Sequence, residues 1–139
     1  MNDCIFCKII AGQIPSSKVH ENELTLAFMD IGQVNPGHVL VAVKPHVENI
    51  YGLDDALAGA VFQTTARVAR AVEKAYTPKG VTLYQANGMA AGQTVFHFHL
   101  HIVPRHDGDG MHLAWPTKNP RREQLEANAT RIRDALNAG

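Results

Sequence analysis

His97-Phe98-His99-Leu100-His101 alternates imidazole with apolar side chains and runs on into Ile102-Val103-Pro104. Alternation at a period of two marks a β-strand, so Phe98, Leu100 and Ile102 are expected on a core face and the three histidines in one row opposite. Histidine is the side chain that ordinarily titrates near neutrality, so such a row offers nucleophiles, proton carriers and metal ligands together. Spacing sorts these uses. Neighbouring rings of the row stand about 6.6 Å apart and the outer pair about 13 Å, whereas zinc holds nitrogen ligands at about 2.0 to 2.1 Å. One ion cannot collect all three rings, and at least one is left for other chemistry. Cys4-x-x-Cys7 is a second group, with metal-ligand spacing, and these are the chain's two cysteines. In a reducing compartment such a pair is metal-binding or redox-active rather than a structural disulfide. Gly88-Met89-Ala90-Ala91-Gly92-Gln93-Thr94 leads into the histidine run. Its backbone N–H groups, with the Gln93 amide and Thr94 hydroxyl, can donate to phosphate oxygens, or the segment is a bare turn.

These residues need a scaffold, and 139 residues suit one domain around one core. Cys4 to Ala11, ended by Gly12 and Pro15, reads as one or two helical turns. Lys18 to Glu21 and Leu24 to Asp30 read as a hairpin turning at Glu21-Asn22-Glu23. Val34-Asn35-Pro36-Gly37 is a turn, and His38 to Lys44 a third strand cut off by Pro45. From Leu53 to Ala75, the residues Leu57, Val61, Thr64, Val68, Val72 and Ala75 recur at three- and four-residue steps, which predicts an amphipathic helix ended by Thr77-Pro78-Lys79-Gly80. Val81 to Ala86 and Val95 to Pro104 are the fourth and fifth strands, the last carrying the histidines. Asn119-Pro120 offers a cap and first-turn proline for a C-terminal helical extension over 119–137, with Leu125, Ala129, Ile132 and Leu136 as its inner stripe. Both long helices are expected to cover the core, and His20, His106 and His112 to lie on the surface.

Thirteen basic and thirteen acidic residues cancel. The chain therefore lacks the electrostatic footprint of a binder of polymeric nucleic acid. No basic segment followed by a long apolar run stands at the start, and nowhere do about 18 apolar residues follow one another. Neither secretion nor membrane spanning is signalled, and a cytoplasmic location is expected.

The run Gly92-Gln93-Thr94-Val95-Phe96-His97-Phe98-His99-Leu100-His101-Ile102-Val103-Pro104-Arg105 resembles the signature of the histidine triad (HIT) family. Further matches occur in family order at Cys4-Ile5-Phe6-Cys7-Lys8-Ile9-Ile10, Ile14-Pro15, Ala27-Phe28-Met29-Asp30-Ile31, Pro36-Gly37-His38-Val39-Leu40-Val41 and Lys44-Pro45-His46, so the likeness spans residues 4 to about 106. It points to a zinc-binding, bacterial-type member similar to the histidine triad nucleotide-binding branch. The resemblance implies a single α+β domain of HIT fold, with a five-stranded antiparallel sheet, one long helix, a C-terminal helix and a two-fold homodimer.

The function it implies is a nucleotide hydrolase or nucleotidyl transferase acting at the α-phosphate of purine nucleotide conjugates such as adenosine phosphoramidates. His99 would be the nucleophile, giving a nucleotidyl-histidine that water resolves. His101 and His38 would donate to the non-bridging phosphate oxygens, helped by Gln93 and Thr94. Asp30, acceptor-only when ionised, would take the ribose hydroxyls, while Ile5, Phe6, Ile9, Phe28 and Ile31 form the apolar base slot or plain core. Zinc-bearing members join the cysteine pair to the histidine after the third strand and the first of the triad, here His46 and His97. Such a closed Cys4, Cys7, His46, His97 set would be structural. A zinc-bound His97 could not be the acid for the leaving group, leaving His101, His38, a hydroxyl or solvent. Related sequences end the fourth strand in asparagine where this chain has Ala86 and then Asn87, which makes Asn87 a candidate contact. Two other functions fit the same residues: dinucleoside polyphosphate hydrolysis, and a nucleotide-binding sensor or scaffold that turns over negligibly.

Overall fold

The fold is described for residues 3–139 in a computed structural model. Its strands are β1 (Lys18–Glu21), β2 (Thr25–Met29), β3 (Val39–Val43), β4 (Gly80–Tyr84) and β5 (His99–Arg105), and its helices α1 (Ile5–Ile10), α2 (Asp55–Tyr76) and α3 (Arg122–Asn137). The five strands form one sheet in the order β1-β2-β3-β5-β4, every neighbouring pair antiparallel. This is the α+β architecture expected from the sequence. Val39–Val43 has no polar residue because β3 is buried along its whole length, covered on both faces as few antiparallel strands are.

The two faces have different cores. Ala27, Val39, Val41, Val43, Phe98 and Ile102 pack with Leu57, Val61, Val68 and Val72 of α2. Leu26, Phe28, Leu40 and Ala42 pack with Phe6 and Ile9 of α1. Alternation along β2 and β3 thus feeds both layers. Asp54 caps α2 by accepting from Leu57 N–H at 2.8 Å, and the stripe read from Leu57 to Val72 is buried, whereas Ala75 in the last turn is exposed. The β1–β2 turn is built on Asn22, whose Oδ1 accepts from Leu24 N–H and Thr25 N–H.

Two expectations are corrected. The fifth strand does not run from Val95: β5 starts at His99, and residues 95–97 form a bend. Phe98 N–H donates to Val47 O at 2.6 Å, so the segment leaves the ladder and releases the His97 ring from the strand's row. The C-terminal helix is present from Arg122 rather than 119, with no side-chain cap, and does not cover the core. Leu125, Ile132 and Leu136 are exposed and Ala129 is half-buried, so among the described residues the stripe meets no core. Helical periodicity specifies a stripe, not its partner. No helix among the described residues is long and apolar enough to cross a membrane.

The approach to His38 depends on one glycine. Gly37 has φ +100°, and a Cβ there would stand 2.7 Å from Cε2 of Tyr76. Gly37→Ala is expected to lose about 1 to 3 kcal/mol of stability in urea melts, and Tyr76→Ala in the same chain to recover the steric part alone.

Candidate active site

His99 opens β5 and is 9% exposed. Its Nδ1 lies 2.7 Å from the His97 carbonyl oxygen. A carbonyl can only accept, so Nδ1 carries the proton and Nε2 keeps its lone pair. Phe6 meets the His99 ring edge to face, centroids 4.9 Å apart, and meets Phe28 in the same way at 5.3 Å. The ring is held in orientation by α1 and in tautomer by the bend that precedes its strand.

His101 is ordered by a relay. Val34 N–H donates to His38 Nδ1 at 3.2 Å, which places the His38 proton on Nε2. His38 Nε2 lies 2.9 Å from His101 Nδ1, so that nitrogen accepts and the His101 proton sits on Nε2. Asp30 Oδ2 stands 3.4 Å from His38 Nε2, and Oδ1 accepts from Gly32 N–H at 2.8 Å. Asp30, His38 and His101 also stand close enough together to be read as metal ligands. The Val34 N–H opposes that reading, since it fixes a proton on the nitrogen a metal would need.

Burial keeps these rings neutral. Desolvation pushes His38 and His99 below the ordinary imidazole range, against a partial upward pull from Asp30. For His101 desolvation comes first, the charged forms of His99 and His38 add to it, and the value falls to about 3.

The bend before β5 turns His97 toward α1. His97 Nδ1 lies 3.4 Å from Cys4 Sγ and 3.5 Å from Cys7 Sγ, and His46 Nδ1 lies 3.3 Å from Cys7 Sγ. All four donor atoms fall within 4.8 Å of one another. Ordinary zinc–sulfur and zinc–nitrogen lengths in a tetrahedron give sulfur–nitrogen edges of about 3.6 Å. The set therefore fits zinc, with His97 Nε2–H donating to Val43 O at 2.6 Å as the outer support that metal-bound histidines require.

A cavity of about 590 Å³ opens over this face. His99 and His101 stand in its wall together with Asp30, Thr94, Ile5, Phe6, Ile9, Phe28 and Ile31. The arrangement places a free imidazole lone pair and an imidazole N–H donor beside an apolar slot with one carboxylate at its side. That set suits attack on an electrophile carrying negative oxygens, attached to a flat apolar group.

A family model described as HIT domain matches residues 11–108. The chain belongs to the HIT family. A HIT family protein from Bacillus subtilis is 46% identical to it with a TM-score of 0.91, the match covering 95% of this chain and 96% of that one. A zinc-bound histidine triad family protein from Mycobacterium smegmatis is 32% identical with a TM-score of 0.75, covering 96% and 98%. The adenosine 5'-monophosphoramidase of Schizosaccharomyces pombe is 35% identical over 125 residues, 89% of this chain and 91% of that protein.

Not every residue singled out in the sequence of this HIT protein reaches the cavity. His38 is 1% exposed and stands behind His101. Gln93 is buried within its loop, its Oε1 accepting from Gly88 N–H and its Nε2 donating to Glu48 O and Val95 O. Both termini of its amide are thereby engaged in holding the turn. Asn87 is likewise engaged, accepting from Ile50 N–H and pairing its amide with that of Gln85. Sequence reasoning missed Gln33, whose side chain stitches Asp30, Gly37 and His38 together. It also missed Tyr84, stacked on His101. Gln33 could have been suspected from its place inside the Asp30 to His38 loop, whereas Tyr84 needs the β4–β5 register.

The depressed His101 value has a consequence for acid stability. Between about 6.5 and about 3 the unfolded chain binds a proton at this residue that the folded chain refuses. The stabilising contribution is full above the higher value and is lost as pH falls toward the lower. Urea midpoints are expected to drop from pH 7 to pH 4, and to drop less in His101→Asn.

Proposed function

We propose that this protein is a nucleotide hydrolase that cleaves purine nucleoside phosphoramidates and similar conjugates at the α-phosphorus, through a covalent nucleotidyl-His99. One observation carries the reading: the His99 Nδ1–H bond to the His97 carbonyl, which leaves Nε2 as a lone pair at the cavity wall. The similarity to a fission-yeast adenosine 5'-monophosphoramidase supports the substrate class.

In the first step His99 Nε2 forms a bond to phosphorus as the bond from phosphorus to the leaving nitrogen breaks, and that nitrogen takes up a proton from solvent and departs as the free amine. Neutral His101 presents Nε2–H to a non-bridging oxygen, whose charge grows in the transition state. His38 acts through His101 rather than on the substrate, because its Nε2–H is already given to His101 Nδ1. Water then attacks the phosphorus of the nucleotidyl-histidine and returns a proton to solvent as the bond from phosphorus to Nε2 breaks, releasing the nucleoside monophosphate and restoring the neutral imidazole. Two displacements retain configuration at phosphorus. Asp30 accepts the ribose hydroxyls, Thr94 offers its hydroxyl to the phosphate, and the apolar wall from Ile5 to Ile31 holds the base. Gln93 shapes the Gly88–Gly92 turn that presents Thr94, a positioning task in place of a direct phosphate contact.

Cys4, Cys7, His46 and His97 would hold a structural zinc, tying α1 to the residue whose carbonyl holds His99. The exposed α3 stripe and the free outer edge of β4 support a homodimer, in which both would find cover. Sedimentation equilibrium with Leu125→Lys and Ile132→Lys tests that assignment, the doubly charged variant being expected to sediment as the lighter species.

Intact mass spectrometry under acid-free conditions, after brief mixing with an adenosine phosphoramidate, tests the mechanism. An adduct of one adenylyl group is expected in wild type and not in His99→Ala. AMP release without any adduct in a trapped time course would remove the covalent step, and tight binding without release would make the protein a nucleotide-binding module. Elemental analysis is expected to find about one zinc per chain in wild type and well under half of that in Cys7→Ser, with a lower melting temperature.

A further inference from the structure

We propose that Tyr84 is a positioning residue, clamping the His101 imidazole from β4 so that its Nε2–H points into the cavity. The inference rests on the function proposed above and assigns a residue that neither the histidine run nor the cysteine pair contains.

The placement follows from the sheet. Tyr84 pairs with His101 across β4 and β5, His101 pairs with Leu40 on β3, and Leu40 with Phe28 on β2. Directly paired residues of antiparallel strands present side chains to the same face, so Phe28, Leu40, His101 and Tyr84 form one row. The first three of these line the cavity, and Tyr84 closes the row at the edge strand. Its ring lies parallel to the His101 ring, centroids 3.9 Å apart and planes 8° from parallel.

This contact restrains a motion that the relay leaves open. The hydrogen bond from His38 Nε2 to His101 Nδ1 fixes one point in the plane of the ring. Rotation that tips the plane while roughly keeping that bond would swing Nε2–H away from a phosphate. A flat ring stacked on the face opposes tipping. The two restraints are perpendicular, and together they fix both the position and the direction of the donor. Catalytic donors gain their effect from such fixed direction, since a misplacement of about 1 Å can cost about 100-fold in rate.

Tyr84 also removes water from one face of His101. The groups that face this ring are His38 from the loop before β3, Asp30 from the end of β2, His99 on the same strand and Tyr84 itself. Burial is the main reason His101 resists protonation, so loss of the aromatic cover, with Asp30 Oδ2 standing 3.9 Å from His101 Nδ1, should let it take up a proton at higher pH.

The test compares Tyr84→Phe, Tyr84→Leu and Tyr84→Ser. With an adenosine phosphoramidate, Tyr84→Ser is expected to lose about 10- to 100-fold in kcat with KM little changed, with Tyr84→Leu intermediate. Tyr84→Phe, which keeps the flat ring, should stay close to wild type. The acid limb of the kcat profile should move to higher pH in the serine variant and not in the phenylalanine one. A loss confined to KM, or a phenylalanine variant as poor as the serine one, would overturn positioning by stacking. NMR of the histidine rings without substrate separates this proposal from the proposed function. By ¹³C relaxation the His101 ring should be as rigid in Tyr84→Phe as in wild type and clearly more mobile in Tyr84→Ser, while its Nε2–H tautomer, set by His38, should persist in both. An equally rigid His101 ring in Tyr84→Ser would refute the clamp even if turnover fell. Failure of wild type to turn over any nucleoside phosphoramidate, with the NMR pattern as expected, would refute the function and leave the clamp standing.

Discussion

The hydrogen bond from His99 Nδ1–H to the carbonyl of His97 is the contact on which the site depends. It decides which nitrogen of His99 is free, and the position of that carbonyl is fixed by everything else His97 does. Its ring is fully buried, with Nε2–H on Val43 O and Nδ1 toward both cysteine sulfurs. A strand continuing through His97 would have kept the backbone ladder but lost this geometry. The bend sacrifices ladder pairing and recovers part of it through Phe98 N–H to Val47 O and Val43 N–H to Phe98 O. One residue therefore ties the cysteine–histidine corner, the central strand and the His99 ring together.

Burying so many imidazoles is tolerable only if they are neutral and each proton has a place to go. The relay meets that demand in sequence, each ring accepting on Nδ1 and donating from Nε2, and starts from a backbone amide that cannot change its protonation. His99 uses the opposite tautomer because its partner is a carbonyl. Two tautomers in neighbouring rings of one strand give one ring a lone pair for the cavity and the other a donor. Among the described residues no buried side-chain nitrogen or oxygen lacks a hydrogen-bond partner. The neutrality that burial imposes is also what the proposed chemistry needs near pH 7.

The alternation around His99 and His101 was legible because a strand sorts residues by parity, and Phe98, Leu100 and Ile102 do pack on the α2 side. His97 left the row, which parity cannot foretell, since the groups it and Phe98 meet there, the α1 cysteines and the Val47 carbonyl, lie far away in sequence. The stripe of α2 was legible from its own period; that of α3 was equally clear in sequence and covers no core among the described residues. Periodicity records that a face is apolar and is silent on what meets it. Gln93 and Asn87 have the right chemistry for a substrate contact, and only the structure reveals their amides turned inward onto loop backbone. The likeness to HIT sequences carried the fold, while pairings such as Tyr84 with His101 depend on strand register, which a single sequence does not disclose.

The five apolar residues that sequence left as slot or core divide along a gradient rather than into two classes. Phe6, Ile9 and Phe28 are over 90% buried, while Ile5 and Ile31 are exposed at the rim, yet all five face one cavity. The inner three form, with Leu26, Leu40 and Ala42, the small core between α1 and the sheet. A helix of six residues is too short to persist alone, so α1 stands by that core and by the cysteines at its N-terminal end. Burying Phe6 alone contributes about 1.5 to 3 kcal/mol, a large share of what holds so short an element. A flat ligand in the slot would extend the same apolar contacts from the cavity side. Binding there and the stability of α1 would then be coupled through shared side chains, and because Phe6 also orients His99, occupancy of the slot would bear directly on that ring.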